Sequence, residues 1–118
     1  MIRAYLFTYL SAFRITVLGA VAAACTADPS SGIAASEVVC PSDSTLTYES
    51  FGSAFLADNC LSCHITKERP PLTTQAAVQA NKSAIISAAV TSTRMPADGA
   101  LAIEERQLLG EWLACGAP

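Results

Sequence analysis

The stretch Cys60-Leu61-Ser62-Cys63-His64, CLSCH, holds two of the five cysteines and the only histidine of the chain. Thiols three residues apart, with an imidazole directly behind the second, allow three chemistries. A structural zinc site needs four ligands, commonly from two such pairs. Cys40 and Cys115 are on hand, but neither belongs to a second Cys-x-x-Cys. A thiol–disulfide redox pair needs a βαβ setting, whereas the sequence around CLSCH is alanine-rich and helical in pattern, with few strand signals. The third chemistry is covalent attachment of a haem. This spacing lets both thiols reach the two vinyl groups of one porphyrin and sets the next residue beneath the ring. The motif favours this third reading, with Cys60 and Cys63 as thioether anchors and His64 as the proximal iron ligand.

Haem c is attached outside the cytoplasm, and the chain begins with an export pattern. At 118 residues it has room for one domain. Its mean hydropathy of +0.39 is high, and the excess is concentrated at the start. MIRAYLFTYLSAFRITVLGAVAAAC carries Arg3 and Arg14, no acid, and an uncharged run from Ile15 to Ala24. A basic segment followed by an apolar run too short to span a bilayer reads as a secretory signal over residues 1–24. The small residues of VAAAC before Cys25 resemble the lipobox of bacterial lipoproteins, in which the cysteine is lipidated and the leader cut just before it. Ala22 stands where leucine is usual, and ordinary cleavage after AAA is the competing route. That route would leave Cys25 a free thiol. Residues 25–46, beginning TADPSSGIAASE after Cys25, read as a lipid-attached flexible tether. Removing Arg3 and Arg14 lowers Lys+Arg from 7 to 5 against 10 acids, a formal net charge of −5. Such a balance excludes nucleic acid and anionic lipid as electrostatic partners and suits a basic partner face.

The sixth iron ligand follows by elimination. Once the leader is gone, Met95 is the remaining methionine, and it lies in TSTRMPADG, where Pro96 and Gly99 enforce a loop. A thioether there can close the distal side of a haem. If Met95 does not bind, the iron stays open to a gas or a peroxide. The alternative function is then a haem-based sensor or a peroxidase-like accessory domain. No second histidine is present for peroxide cleavage, and Arg94 is the one nearby candidate.

Three segments carry helical periodicity. Thr47 to Asn59 presents Tyr48, Phe51 and Phe55 on one face, and Gly52 offers room for a close helix crossing. Thr74 to Thr91 carries a stripe of Val78, Ile85, Ile86, Ala89 and Val90, with Gln79 and Lys82 off it. Glu104 to Cys115 has Leu108, Leu109, Trp112 and Leu113 as its expected buried strip. Glu104 and Glu105 suit that helix's N-terminus and Gly116 its C-cap, while Ala102 and Ile103 give no N-cap signal. Trp112 is placed to cross the first helix near Gly52. The turn KERPPL after His64 is placed to accept the second imidazole N–H on a backbone carbonyl. Cys40 and Cys115 are an even pair left over in an oxidising compartment and are expected to bond. That pairing leaves Cys25 for lipid.

With these pieces placed, residues 47–118 resemble a small monohaem c-type cytochrome of the class I kind. The carrying residues are GSAFLADNCLSCH, the PPL after it, the RMP loop and the closing LLGEWLACGAP. The resemblance implies an all-α, cytochrome c-like fold of three to four helices wrapped around one covalent haem c. It implies Cys60 and Cys63 on the haem, His64 and Met95 on the iron, and Pro71 at the proline position near the proximal ligand. Gly52 and Trp112 would mark the crossing of the terminal helices. The CGAP ending resembles that of family members with an extra disulfide, which fits Cys40 with Cys115. The implied function is one-electron transfer between redox partner proteins, not enzymatic turnover, in the bacterial cell envelope, held at a membrane by the lipid. The sequence departs from the family at Leu56, where an aromatic is usual, and at Arg69-Pro70, where a glycine often stands.

If Cys25 is lipidated, globomycin treatment of the expressing cell should cause the unprocessed precursor to accumulate on a denaturing gel. Unchanged processing would make Cys25 an ordinary post-cleavage thiol.

Overall fold

A computed structural model describes residues 31–66, 68–97 and 101–118. The expected leader (1–24), Cys25 and the first residues of the expected tether lie outside the described residues. The described chain is all-α. A π-helical turn, Tyr48–Gly52, runs directly into α1 (Ser53–Asn59), and α2 (Leu61–His64) is a single turn. Helix α3 (Gln75–Ile85) continues as a second π-helical turn, Ile86–Val90, and α4 (Ile103–Ala114) closes the fold. Among the described residues no strand forms and no helix is long and apolar enough to cross a membrane.

Local chemistry sets the helix ends. Thr47 accepts from the Ser50 N–H at 3.0 Å, and the Ser50 hydroxyl is 2.9 Å from the Thr47 N–H in return. Thr74 accepts from the Ala77 N–H at 3.2 Å and starts α3. Both satisfy N–H groups that the first turn leaves without helical partners. At Ala102, which has no capping oxygen, the cap comes from within the helix. The Glu105 carboxylate reaches back to the Ala102 N–H at 2.8 Å. Helix α4 ends at Gly116, whose φ of +96° suits glycine, with Gly116 N–H to Leu113 C=O at 3.0 Å and Ala117 N–H to Trp112 C=O at 2.9 Å.

The core is built where the first helical segment meets α4. Trp112 is fully buried and lies against Gly52, where a Cβ would overlap the indole ring. Phe51 meets Trp112 edge-on with centroids 5.8 Å apart, and Tyr48 flanks it at 6.4 Å. Phe55, Leu56, Val78, Ile85, Ala89, Val90, Leu109 and Leu113 complete the interior. The C-terminal residues brace the crossing: Pro118 C=O accepts the Tyr48 N–H, and Ala117 C=O accepts the side-chain amides of Gln75 and Gln79 at 3.0 and 3.1 Å.

Cys40 and Cys115 form a disulfide with Cα atoms 4.7 Å apart, across a separation of 75 residues. By chain entropy a loop of that size is worth at most ~4–5 kcal/mol.

Two sequence expectations need correction. The tether expected as far as residue 46 is packed on the domain from Gly32 onward. Ile33 is buried and its N–H donates to Val90 C=O at 2.8 Å. Val38 packs on the core, and Ser44 donates to Glu111 at 2.6 Å. Composition made this segment look like a linker, but Ile33 and Val38 find long-range partners. On α4, Leu108 is 42% exposed and Arg106 is 0% exposed. Residues 106, 109 and 113 follow the three-to-four spacing of one helix face, and 108 is turned about 100° from 109.

Gly52→Ala sets two effects against each other. Helix propensity gains up to ~1 kcal/mol, while overpacking against a rigid indole costs ~1–3 kcal/mol. Packing should win, so the variant should show a lower thermal midpoint. A midpoint raised by the substitution would show that Trp112 moves aside at little cost.

Candidate functional site

Helix α1 ends at Cys60, and the chain closes one further helical turn over CLSCH. Cys63 N–H and His64 N–H both donate to Cys60 C=O, at 3.2 and 2.9 Å. That turn gathers both thiols and the imidazole in one place. Cys60 and His64 line a hollow of about 240 Å³ whose wall is mostly apolar, including Leu72, Ile85, Ala89 and Leu109. Met95 lines it as well, arriving from the loop after α3. An adjoining outer hollow of about 420 Å³ shares Cys60, His64 and Met95 and adds the exposed Cys63. The structure therefore brings Cys60, Cys63, His64 and Met95 to one concavity. Cys40 and Cys115 are elsewhere, in their disulfide.

His64 is oriented by backbone. Its Nδ1 lies 2.8 Å from Pro70 C=O. A carbonyl only accepts, so Nδ1 carries the proton and Nε2 of the neutral ring keeps its lone pair, which is the state a metal ligand needs. Leu72 N–H donates to His64 C=O at 3.0 Å and ties the turn to the same helix. Pro70 makes this bond. Pro71, the residue that the resemblance put near the proximal ligand, lies one place further on, partly buried, and is not part of either hollow's wall. The double proline left the register ambiguous by one residue.

Met95 is held at both ends of its own peptide unit. Its N–H donates to Ala88 C=O at 2.8 Å, and its C=O accepts from the Arg106 guanidinium at 3.1 Å. Sequence reading missed Arg106. The available signal was its register with Leu109 and Leu113, obscured by the adjacent charges of EER.

Burial pushes the Cys60 thiol up, from an ordinary 9.0 to about 11, because the thiolate loses its hydration. A redox-active Cys-x-x-Cys thiol is displaced in the opposite direction. Cys40 and Cys115 are bonded to each other and cannot supply zinc thiolates. Among the described residues no three of His, Cys, Asp and Glu converge as metal ligands. Haem ligation does not require such a cluster, since its iron takes one imidazole and one thioether from the protein.

Comparison with protein-family models, with curated proteins and with solved structures finds no match for this chain.

In the chain expressed without haem attachment, iodoacetamide at neutral pH should label exposed Cys63 before Cys60. Cys60 labelling should accelerate only as the pH climbs from 9.0 toward about 11, as followed by peptide mass spectrometry. Equal rates at neutral pH would contradict the burial of Cys60.

Proposed function

We propose that the chain is a small monohaem c-type cytochrome of the class I kind, with a cytochrome c-like fold around one covalent haem c. In this reading it passes single electrons between redox proteins in the bacterial cell envelope and is not an enzyme. The observation that carries the reading is the convergence of Cys60, His64 and Met95 on one largely apolar hollow. The donor set fits the group: an imidazole with its lone pair on Nε2, a thioether, and two thiols at vinyl spacing beside them. When bound, the haem supplies a ferric/ferrous couple, and His/Met ligation raises its potential.

The chain's own residues then do the positioning. Cys60 and Cys63 would hold the haem through thioether bonds. The Pro70 carbonyl holds the His64 imidazole in one tautomer and orientation. The Met95 N–H is held by the Ala88 carbonyl and its C=O by the Arg106 guanidinium, so neither ligand would need to move when an electron arrives or leaves. Leu72, Ile85, Ala89 and Leu109 keep water from that side. The outer hollow opens toward exposed Cys63, and brief docking there suits small redox interfaces. A lipid on Cys25 would hold the domain close to a membrane surface, since Ile33 already belongs to the core.

The purified protein, made with functional maturation machinery, should be coloured and should carry one haem in its intact mass. Its visible spectrum should change with dithionite. Carbon monoxide should leave the reduced spectrum of the parent protein unchanged at neutral pH, whereas Met95→Ala should lose the ferric thioether–iron band and bind the gas. Free, alkylatable thiols at Cys60 and Cys63 in that preparation would overturn the reading. Rapid carbon monoxide binding by the parent protein would instead favour the sensor or peroxidase-like alternative.

A further inference from the structure

Arg106 is the one charged side chain in the interior of the described residues, with 0% of its surface exposed. Burying a guanidinium is costly unless its charge is answered. Among the described residues no carboxylate is a hydrogen-bond partner of it. One nitrogen, Nη1, donates to three backbone carbonyls: Ala89, Ser92 at 3.2 Å and Met95 at 3.1 Å. Nε and Nη2 have no hydrogen-bond partner among the described residues.

The three acceptors recur at every third residue, so the chain from the end of the α3 segment to Met95 is wound around one cationic group. Ala89 lies in the last turn of that segment, where the helix dipole leaves carbonyls that favour a cation. The Met95 N–H is fixed to Ala88 C=O, which belongs to the same segment. For the Met95 thioether to leave the hollow by a movement of its loop, the backbone must therefore give up the Arg106 bond. Charge-assisted hydrogen bonds are about twice as strong as neutral ones.

We infer that Arg106 is a positioning residue that holds the Met95 loop closed and thereby suppresses access of outside ligands to the site. The inference rests on the haem reading above. It adds what that reading lacks, namely a group on a different helix that sets how firmly the distal ligand is held. Arg106 does not line the hollow and acts through the Met95 backbone.

An added ligand that must displace Met95 binds with an affinity reduced by the fraction of protein in which Met95 is off. In that exchange the thioether–iron bond breaks and an imidazole nitrogen–iron bond forms, with no change in electron count. The test is spectroscopic titration of the ferric, haem-bearing protein with imidazole. Arg106→Met should bind imidazole about tenfold more tightly than the parent or better, as expected for loss of a hydrogen bond from a charged donor. Arg106→Lys keeps the charge but loses the planar fork, and should fall between the two. In a Met95→Ala background, where nothing has to be displaced, Arg106→Met should no longer matter.

Unchanged imidazole affinity in a haem-bearing Arg106→Met protein overturns the inference and leaves the haem reading intact. The same gain in both backgrounds also overturns it, because Arg106 would then not act through Met95. Should Arg106→Met fail to fold, Arg106→Lys decides by the same comparison: a gain confined to the Met95 background supports the inference, and none overturns it. A parent protein without covalent haem in its intact mass overturns the haem reading, and this inference with it.

Discussion

The seating of Trp112 on Gly52 is the contact from which the rest of the structure takes its geometry. Removing one Cβ lets the first helical segment and α4 approach until the indole fills the gap between them. This crossing fixes α1 along its length, so that Cys60, at its far end, falls at the hollow. It also fixes the rotation of α4, so that Leu109 lines that hollow while Arg106 faces the end of the α3 segment. The Cys40–Cys115 disulfide and the hydrogen bonds to Ala117 and Pro118 act on the same junction from outside. A small domain has little core to spend on holding a site, and this one concentrates its cross-links where two helices and both ends of the fold meet.

From that junction outward, the site is positioned mainly by backbone. His64 is turned by a carbonyl of the loop that follows it, and Met95 is fixed at its own N–H and C=O. Backbone groups have less freedom than side chains and hold their partners with correspondingly less spread. For a group whose proposed work is to exchange an electron without changing its ligands, rigidity of both ligand arms is the useful property, and the one side chain it uses, Arg106, lies outside the hollow's wall. Most of the hollow's wall can then remain apolar, which keeps water away and lowers the local dielectric.

Much of this was legible because it is local or chemical. The three helical segments were bounded to within a residue or two from their apolar periodicity, with Gly116 marking the last C-terminus by its freedom to take a positive φ. Gly52 with Trp112, the disulfide pair, and a carbonyl partner for His64 in KERPPL were each readable from residue type. The failures share a different cause. Ile33 and Val38 looked like members of a tether because their partners are far away in sequence. Leu108 was placed in the buried strip and Arg106 was passed over, because the carbonyls that hold Arg106 lie at the end of the α3 segment and in the loop after it, whose path no pattern encodes. Pro70 and Pro71 are chemically alike, so only the fold could tell which carbonyl is used.

Arg106 also bears on how the chain's acidity should be weighed. The chain's formal net charge of −3, or −5 if residues 1–24 are removed as a leader, describes its far field, which steers encounters at a distance. Within a Debye length of ~8–10 Å the local arrangement takes over. There the balance differs. Of the charged side chains on the inner hollow's wall, Arg69 and Arg94 are both cations, and Glu68 is the acid on the outer one. Arg106 adds a buried positive charge behind Met95. The preference for a basic partner face, read from composition, therefore applies to approach. It does not carry over to the hollow, where the charged wall residues among those described are two arginines and one glutamate. Overall charge and site charge are separate quantities in this protein because Arg69 and Arg94 stand exposed on the hollow's wall while Arg106 is buried behind it, so a partner docking there would meet two arginines before the acidic remainder.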